Sequence, residues 1–218
     1  MALAREGVEV EIAAAADDLF GRTRDWSTAL ESGIFDALVP EAQGGPGLSL
    51  VEACAVAEAA GRHNFPGPVV ETLVRDGDAE RSRVVAAAML LGLAERMLGM
   101  AVEHARNREQ FGRPIAGFQA VQHRLADMAV AVESMRSLCY LAQIGGAPAA
   151  AAKAHASAAV REVAEGALQV HGGIGFTAEH ALSSYFLRSL ELRSAYGDEH
   201  ALRRELGLSL LELEAVAS

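Results

Sequence analysis

The clearest order in the chain lies between residues 118 and 139, where Phe118, Val121, Leu125, Met128, Val132, Met135 and Cys139 recur in alternating steps of three and four. That spacing puts all seven on one stripe of a helix and predicts partner helices along its whole length. Upstream, Leu90, Leu93, Met97 and Met100 recur at helical spacing in a second long helix over residues 80–106. Gly145, Gly146 and Pro148 end the 118–139 segment, an Ala-rich helix follows over 149–170, and Gly172 and Gly173 stop it. Helices over 178–194 and 198–216 complete the chain.

The first third is more broken. Helices over residues 8–20 and 27–38 lead into PEAQGGPGLS, where Pro40, Gly44, Gly45, Pro46 and Gly47 interrupt regular structure. Ser49 then offers a cap for a helix running to Arg62. Residues 63–68 form another break, and RDGDAERSR after Val74 is a charged connector. No stretch longer than a few residues alternates apolar and polar side chains, so no β-domain is expected. The fold class predicted is all-α: a short N-terminal helical region (1–76) and an antiparallel C-terminal bundle (77–218).

Composition supports this. Half of the residues are hydrophobic (51%) but only 5% aromatic, and alanine dominates, as in helices packed closely through small side chains. A net charge of −10 argues against nucleic acid as a partner, which needs clustered Lys and Arg. Cys54 and Cys139 lie in separate apolar segments without metal-ligand spacing and read as small core residues, which fits a reducing cytoplasm. The N-terminal stretch has acidic residues among its apolar ones and does not resemble a secretory leader. The longest apolar run, residues 84–94, falls short of the roughly 20 residues a membrane span requires, so no membrane association is expected.

Two motifs carry the candidate chemistry: REQFGRPIAGFQ at residues 108–119 and QVHGGIGF at 169–176. With the flanking SRVVAAAMLLGLAERMLGMAVEHARN and AVQHRLADM, they resemble the C-terminal helical domain of the acyl-CoA dehydrogenases, flavoenzymes that oxidise the Cα–Cβ bond of an acyl-CoA thioester. SGIFDALVPEAQGGPGLSLVEACAVAEAAGR is similar to that family's N-terminal helical domain. The resemblance implies that Arg108 grips the FAD pyrophosphate of a neighbouring subunit, a task suited to a planar guanidinium fork. It implies that Phe111 packs against the adenosine end, that Gln110 sits beside it, and that Gln119 offers it amide hydrogen bonds. Gln169, Gly172 and Gly173 would meet the adenine and pyrophosphate of the same flavin, the glycines allowing close backbone approach. Read without the resemblance, Arg108 is a surface ion-pair partner, Phe111 a core residue, Gln119 a cap and the glycine pair a helix end. Arg83 matches an arginine placed beside substrate and catalytic base, or else is a surface residue.

The family's mechanism needs a carboxylate to remove the α-proton while hydride leaves for the flavin. One branch carries it after a Tyr late in the chain, where this sequence has Gly197; another carries it immediately before the Arg83 position, where this sequence has Ser82. Asp198, Glu199 and Glu80 are the nearest carboxylates, displaced by a residue or two, and adjacent helical positions point about 100° apart. The family's middle β-domain, on the order of 100 residues, has only VVETLVRDGDAE in its place. Histidines 104, 123, 171 and 180 show no ligand trio and read as surface or capping groups, so no metal is expected.

These features predict a subunit of an oligomeric, FAD-dependent acyl-CoA dehydrogenase, in a homo-oligomer or a heteromer with a full-length homologue, whose flavin is shared with the partner. HGGIGFTAEH and the late Gly-Asp resemble a branch associated with bulky, steroid-like acyl-CoA substrates. The alternatives are a flavin-free structural or binding homo-oligomer and a flavin-independent enzyme using the former acyl cleft.

Overall fold

A computed structural model describes residues 7–217, with side chains through residue 212. The first residues of the stretch read as lacking a leader lie outside the described residues. The chain runs α1 (Val8–Arg22), α2 (Trp26–Glu31), α3 (Leu50–Arg62), α4 (Val69–Leu73), α5 (Ala79–Asn107), a hairpin of β1 (Glu109–Gln110) and β2 (Arg113–Pro114), α6 (Gln119–Gln143), α7 (Ala149–His171), α8 (Ala181–Ser194) and α9 (Glu199–Ala217). The all-α reading holds.

Local chemistry sets the helix starts. At α3 the Ser49 hydroxyl accepts from Val51 N–H while Glu52 accepts from Ser49 N–H, a reciprocal cap that satisfies two otherwise orphaned donors. At α2, α5 and α9 the cap is one-way: Asp25, Asp78 and Asp198 each accept from backbone N–H groups of the first turn.

Helix α5 is the axis of the molecule, packed by α3, α6 and α7. Its residues 84–94 are buried on every side. This explains why α5, by length and a mean hydropathy of 1.6, could cross a membrane although 78% of that apolar stretch is enclosed by protein. Close packing with α3 depends on two glycines. A Cβ on Gly61 would stand 2.1 Å from the Met89 carbonyl oxygen, and one on Gly92 would stand 1.9 Å from that of Glu58, so only hydrogen lets the backbones meet.

The 118–139 stripe behaves as its spacing predicts: Met128, Val132, Met135 and Cys139 are buried and Phe118, Val121 and Leu125 partly so. One continuous apolar core extends from Ala16 to Leu192. At one end Phe20, Trp26, Phe35 and Phe65 cluster with ring centroids 4.4 to 6.4 Å apart.

Three features depart from expectation. The helix predicted over 27–38 breaks at Gly33, which is left-handed at φ +73°, and a tight 3-10 turn over Ile34–Asp36 swings Phe35 into the aromatic cluster. Residues 69–73, left unassigned, form α4, which buries Val69, Val70 and Leu73. The turn after α5 contains a two-residue ladder, the only strand pairing among the described residues.

A charged network ties α1, α3, α5 and α6 together. Arg62 contacts Asp17 at 2.7 Å, Glu58 at 2.8 Å and Glu95 at 2.9 Å, and Arg136 reaches the other oxygen of Glu95 at 2.5 Å. Burial opposes the charge on Arg62, but Glu95, Glu58 and Asp17 outweigh it and hold the guanidinium pKa above its ordinary value.

Candidate functional site

The first motif begins where α5 ends. Arg108 turns extended (φ −84°, ψ 121°), its N–H still donating to the His104 carbonyl at 2.8 Å. Its own carbonyl accepts from Ile115 N–H at 2.8 Å and closes the hairpin. The two residues at the tip, Phe111 and Gly112, both have positive φ (+54° and +78°), the conformation of a type I′ turn. Glycine takes it freely; phenylalanine does so against a steric penalty.

The Phe111 ring is 92% exposed, touching only the edge of Phe118 at 6.1 Å, while the Arg113 guanidinium lies 4.2 Å over the Phe118 face. The reading of Phe111 as a core residue is thereby excluded. The Arg108 side chain is exposed and makes no ion pair or hydrogen bond among the described residues. Gln110 donates to the neighbouring Glu109 carbonyl at 2.7 Å, and Gln119 is exposed at the first position of α6.

The second motif ends α7. Gly172 leaves the helix at φ +65° with its N–H donating to the Leu168 carbonyl, and a Cβ on Gly172 or Gly173 would meet nothing within 4 Å. Gly175, by contrast, is enclosed, with His171 Cβ 3.0 Å from such an atom. Helices α5 and α7 run parallel because α6 lies antiparallel between them in sequence, so both motifs leave the same end of the bundle. The His104 and His171 rings, 4.4 Å apart, join their bases. Gln169, two residues before His171, lines a cleft of about 280 Å³ shared with Phe176, Phe186, Leu190 and Arg193.

Both positions at which the resemblance expects a base converge elsewhere, on a cavity of about 460 Å³ lined by Ser82, Arg83, Tyr196 and Gly197 together with Glu71 and Arg75. Ser82 is buried. Gly197 has φ +104°, and a Cβ there would lie 2.9 Å from Leu202 Cδ2, so the backbone admits no larger residue without rearrangement. Arg83 holds Glu205 through both carboxylate oxygens (2.8 and 2.9 Å) and Glu80 at 2.6 Å. Asp198 accepts the N–H groups of His200 and Ala201 at 2.9 and 3.0 Å; the Ala201 bond is the main cause that holds its carboxyl below the usual range. Glu199 pairs with Arg203 at 3.0 Å.

In this cavity and beneath its Gly197 turn stand two groups that sequence reasoning missed, Tyr196 and Lys153. The Tyr196 hydroxyl is bonded to Glu71, and burial together with that carboxylate raises its pKa. Beneath the turn Lys153 is fully buried, its Nζ donating to Ser157 Oγ at 3.0 Å and to the Arg193 and Gly197 carbonyls at 3.2 and 3.3 Å. Burial pushes its pKa down to about 8. The signal was present: Lys153 is the only charge in an alanine-rich run from 147 to 160.

Cys54 and Cys139 are buried free thiols, and burial drives Cys139 up to about 12. Among the described residues no group of three His, Cys, Asp or Glu could hold a metal ion. His171, read as a surface or capping group, is instead buried, because α7 ends against α5 and α8.

Comparison with known proteins adds three findings. The sequence profile described as "Acyl-CoA dehydrogenase, C-terminal domain" matches residues 74–211, and "Acyl-CoA dehydrogenase, N-terminal domain" matches residues 2–76, so the two abut with nothing between them. "Acyl-CoA dehydrogenase IpdE2" of Mycolicibacterium smegmatis is 39% identical over 127 residues, 57% of this chain but 41% of that protein, so the match spans less than half the relative's length. Among solved structures, a chain of the ChsE4-ChsE5 complex from Mycobacterium tuberculosis superposes with a TM-score of 0.85 at 19% identity, covering 97% of this chain and 99% of that one. A chain of the "Tcur3481-Tcur3483 steroid ACAD G363A variant" gives 0.85 at 22%, covering 96% and 99%. At such identities the shared feature is the fold.

Proposed function

The chain belongs to the acyl-CoA dehydrogenase family, and from that premise we propose that it serves as a cytoplasmic subunit of a heteromeric, FAD-dependent α,β-dehydrogenase of acyl-CoA thioesters. The observation that carries this reading is the exposed Arg108 beside the strained tip residue Phe111: a cation without an ion-pair partner among the described residues, and an aromatic ring 92% exposed at the tip of a closed hairpin. Exposed, unpaired Arg and a bare ring suit the pyrophosphate and adenosine of a dinucleotide, and the open Gly172–Gly173 backbone suits an anionic group. These residues fit the tail of FAD. Nothing among the described residues fits its ring, for which no β-domain stands between the matched blocks.

When bound, FAD accepts the hydride of the Cα–Cβ oxidation. Arg108, Gln110, Phe111, Gln119, Gln169, Gly172 and Gly173 bind and orient its tail. A full-length homologue in the same assembly supplies the ring site and the base. Large apolar side chains left in solvent, among them Val130 (69% exposed) and Phe176 (70%), offer the partner surface. The steroid acyl-CoA dehydrogenase among the structures of shared fold supports a bulky acyl group.

Co-expression with a full-length homologue tests the proposal. The expected result is a co-purifying yellow complex that oxidises acyl-CoA, with Arg108→Ala lowering flavin retention about tenfold, the loss of one charge-assisted contact. Failure to co-purify, or a complex indifferent to Arg108→Ala, overturns it.

One observation favours a second reading, a flavin-free binding homo-oligomer: the cavity at the two base positions holds a buried serine and a glycine at φ +104°, where a side chain would be strained. That reading expects a colourless protein that stays colourless after soaking in FAD and assembles without a partner.

A further inference from the structure

Three imidazoles meet where both motifs are rooted. His104 of α5 lies 4.4 Å from His171 of α7, ring to ring, and His171 lies 4.7 Å from His180 at the start of α8. They border a cavity of about 340 Å³ with Arg96, Glu103 and Asn107. The hydrogen bonds assign the protons. His171 Nδ1 lies 2.8 Å from the Ala167 carbonyl and must donate, which leaves Nε2 as its acceptor. His180 Nδ1 accepts from Leu182 N–H at 3.2 Å and caps α8, so it must be unprotonated.

We propose that His180, in contact with His171 and through it with His104, is an acid-sensitive latch on the glycine turn at residues 172–180. A proton on His180 Nδ1 converts the cap from acceptor to donor, facing the Leu182 N–H it used to bind, and puts positive charge at a helix N-terminus. The surroundings cannot absorb that charge. Arg96 and His104 of α5 and His171 of α7 line the cavity beside His180, Arg108 just beyond α5 adds its positive charge at His104, and among the lining residues only Glu103 brings a carboxylate. Burial, and then the neighbouring rings, hold His104 below the ordinary histidine range, and burial does the same for His171. Folded protein therefore takes up fewer protons than unfolded protein below about pH 6.5, and the stability these rings contribute is lost as pH falls. The α8 cap and the turn feeding it give way first, while the core around α5 stands. That release would reach the flavin tail rests on the function proposed above; the latch itself does not.

Amide hydrogen exchange on the full chain, corrected for intrinsic rates, tests it at about pH 7.5 and about pH 5.5. Protection over residues 172–183 is expected to fall about tenfold at the lower pH, with α3 and the centre of α5 unchanged. His180→Asp keeps a capping acceptor that stays ionised across this range, and should abolish the pH dependence at the α8 cap, residues 181–183, where the Leu182 N–H is bonded; His180→Ser, which caps through a hydroxyl, should do the same. Equal protection at both pH values, uniform loss across the bundle, or an unchanged loss at residues 181–183 in both variants overturns the latch. The measurement needs neither flavin nor partner, so it stands or falls apart from the dehydrogenase reading.

Discussion

Arg62 and Arg108 are the same residue put to opposite uses. Arg62 spends every donor inside the protein, on Asp17, Glu58 and Glu95, where four helices meet. Arg108 caps the end of α5 and leaves its guanidinium in solvent with no partner among the described residues. The closed region hides a carboxylate, Glu58, whose side chain is 3% exposed, whereas the open region displays a phenylalanine that is 92% exposed. Polar groups are internal and satisfied where the molecule holds itself together, and apolar and charged groups face outward where it waits for something else. Surface arginines are common; what distinguishes Arg108 is its place at the base of a hairpin whose tip leaves Phe111 in solvent.

That contrast can be broken most severely from the closed side. Gly92→Leu sets a branched side chain against the Glu58 carbonyl, forces α3 off α5 and should remove more than about 4 kcal/mol, enough to prevent folding; circular dichroism with urea titration reads it directly. Glu58→Ala leaves Arg62 and Arg136 facing each other around one lost carboxylate, and should cost about 3 kcal/mol, seen as a lower denaturation midpoint at unchanged slope. The open side should respond with the opposite sign. Phe111→Asn replaces a strained residue by one that tolerates positive φ before glycine, and should stabilise the chain by about 0.5 to 1 kcal/mol. A loss of stability there would mean that the ring packs on the protein after all, and the contrast would fail.

Sequence periodicity made the long helices legible because their cores are written locally. The stripe from Phe118 to Cys139 and the apolar steps of α5 need no knowledge of the partner. The break at Gly33 was not legible, because what stops the helix is the pull of Phe35 into rings contributed by residues 20, 26 and 65. Ser82 and Gly197 were identified as positions from which a base is missing, but their meeting in one cavity with Glu71 depends on residues more than 100 apart. The histidines read as surface or capping groups, which holds for His180 at the start of α8 and not for buried His171. Their contact arises only because α5, α7 and α8 end together, a property of the bundle and of no segment in it.

The turn after Val74 has a consequence of its own. Residues 75–80 are exposed, Gly77 donates back to the Val74 carbonyl, and a Cβ on Gly77 would touch nothing. The two matched profiles meet here, at residues 74–76. A chain that leaves the surface and re-enters it within one turn can be cut and lengthened at that point without moving the core. An insertion at this turn is therefore expected to leave the helical body standing, with the same denaturation midpoint.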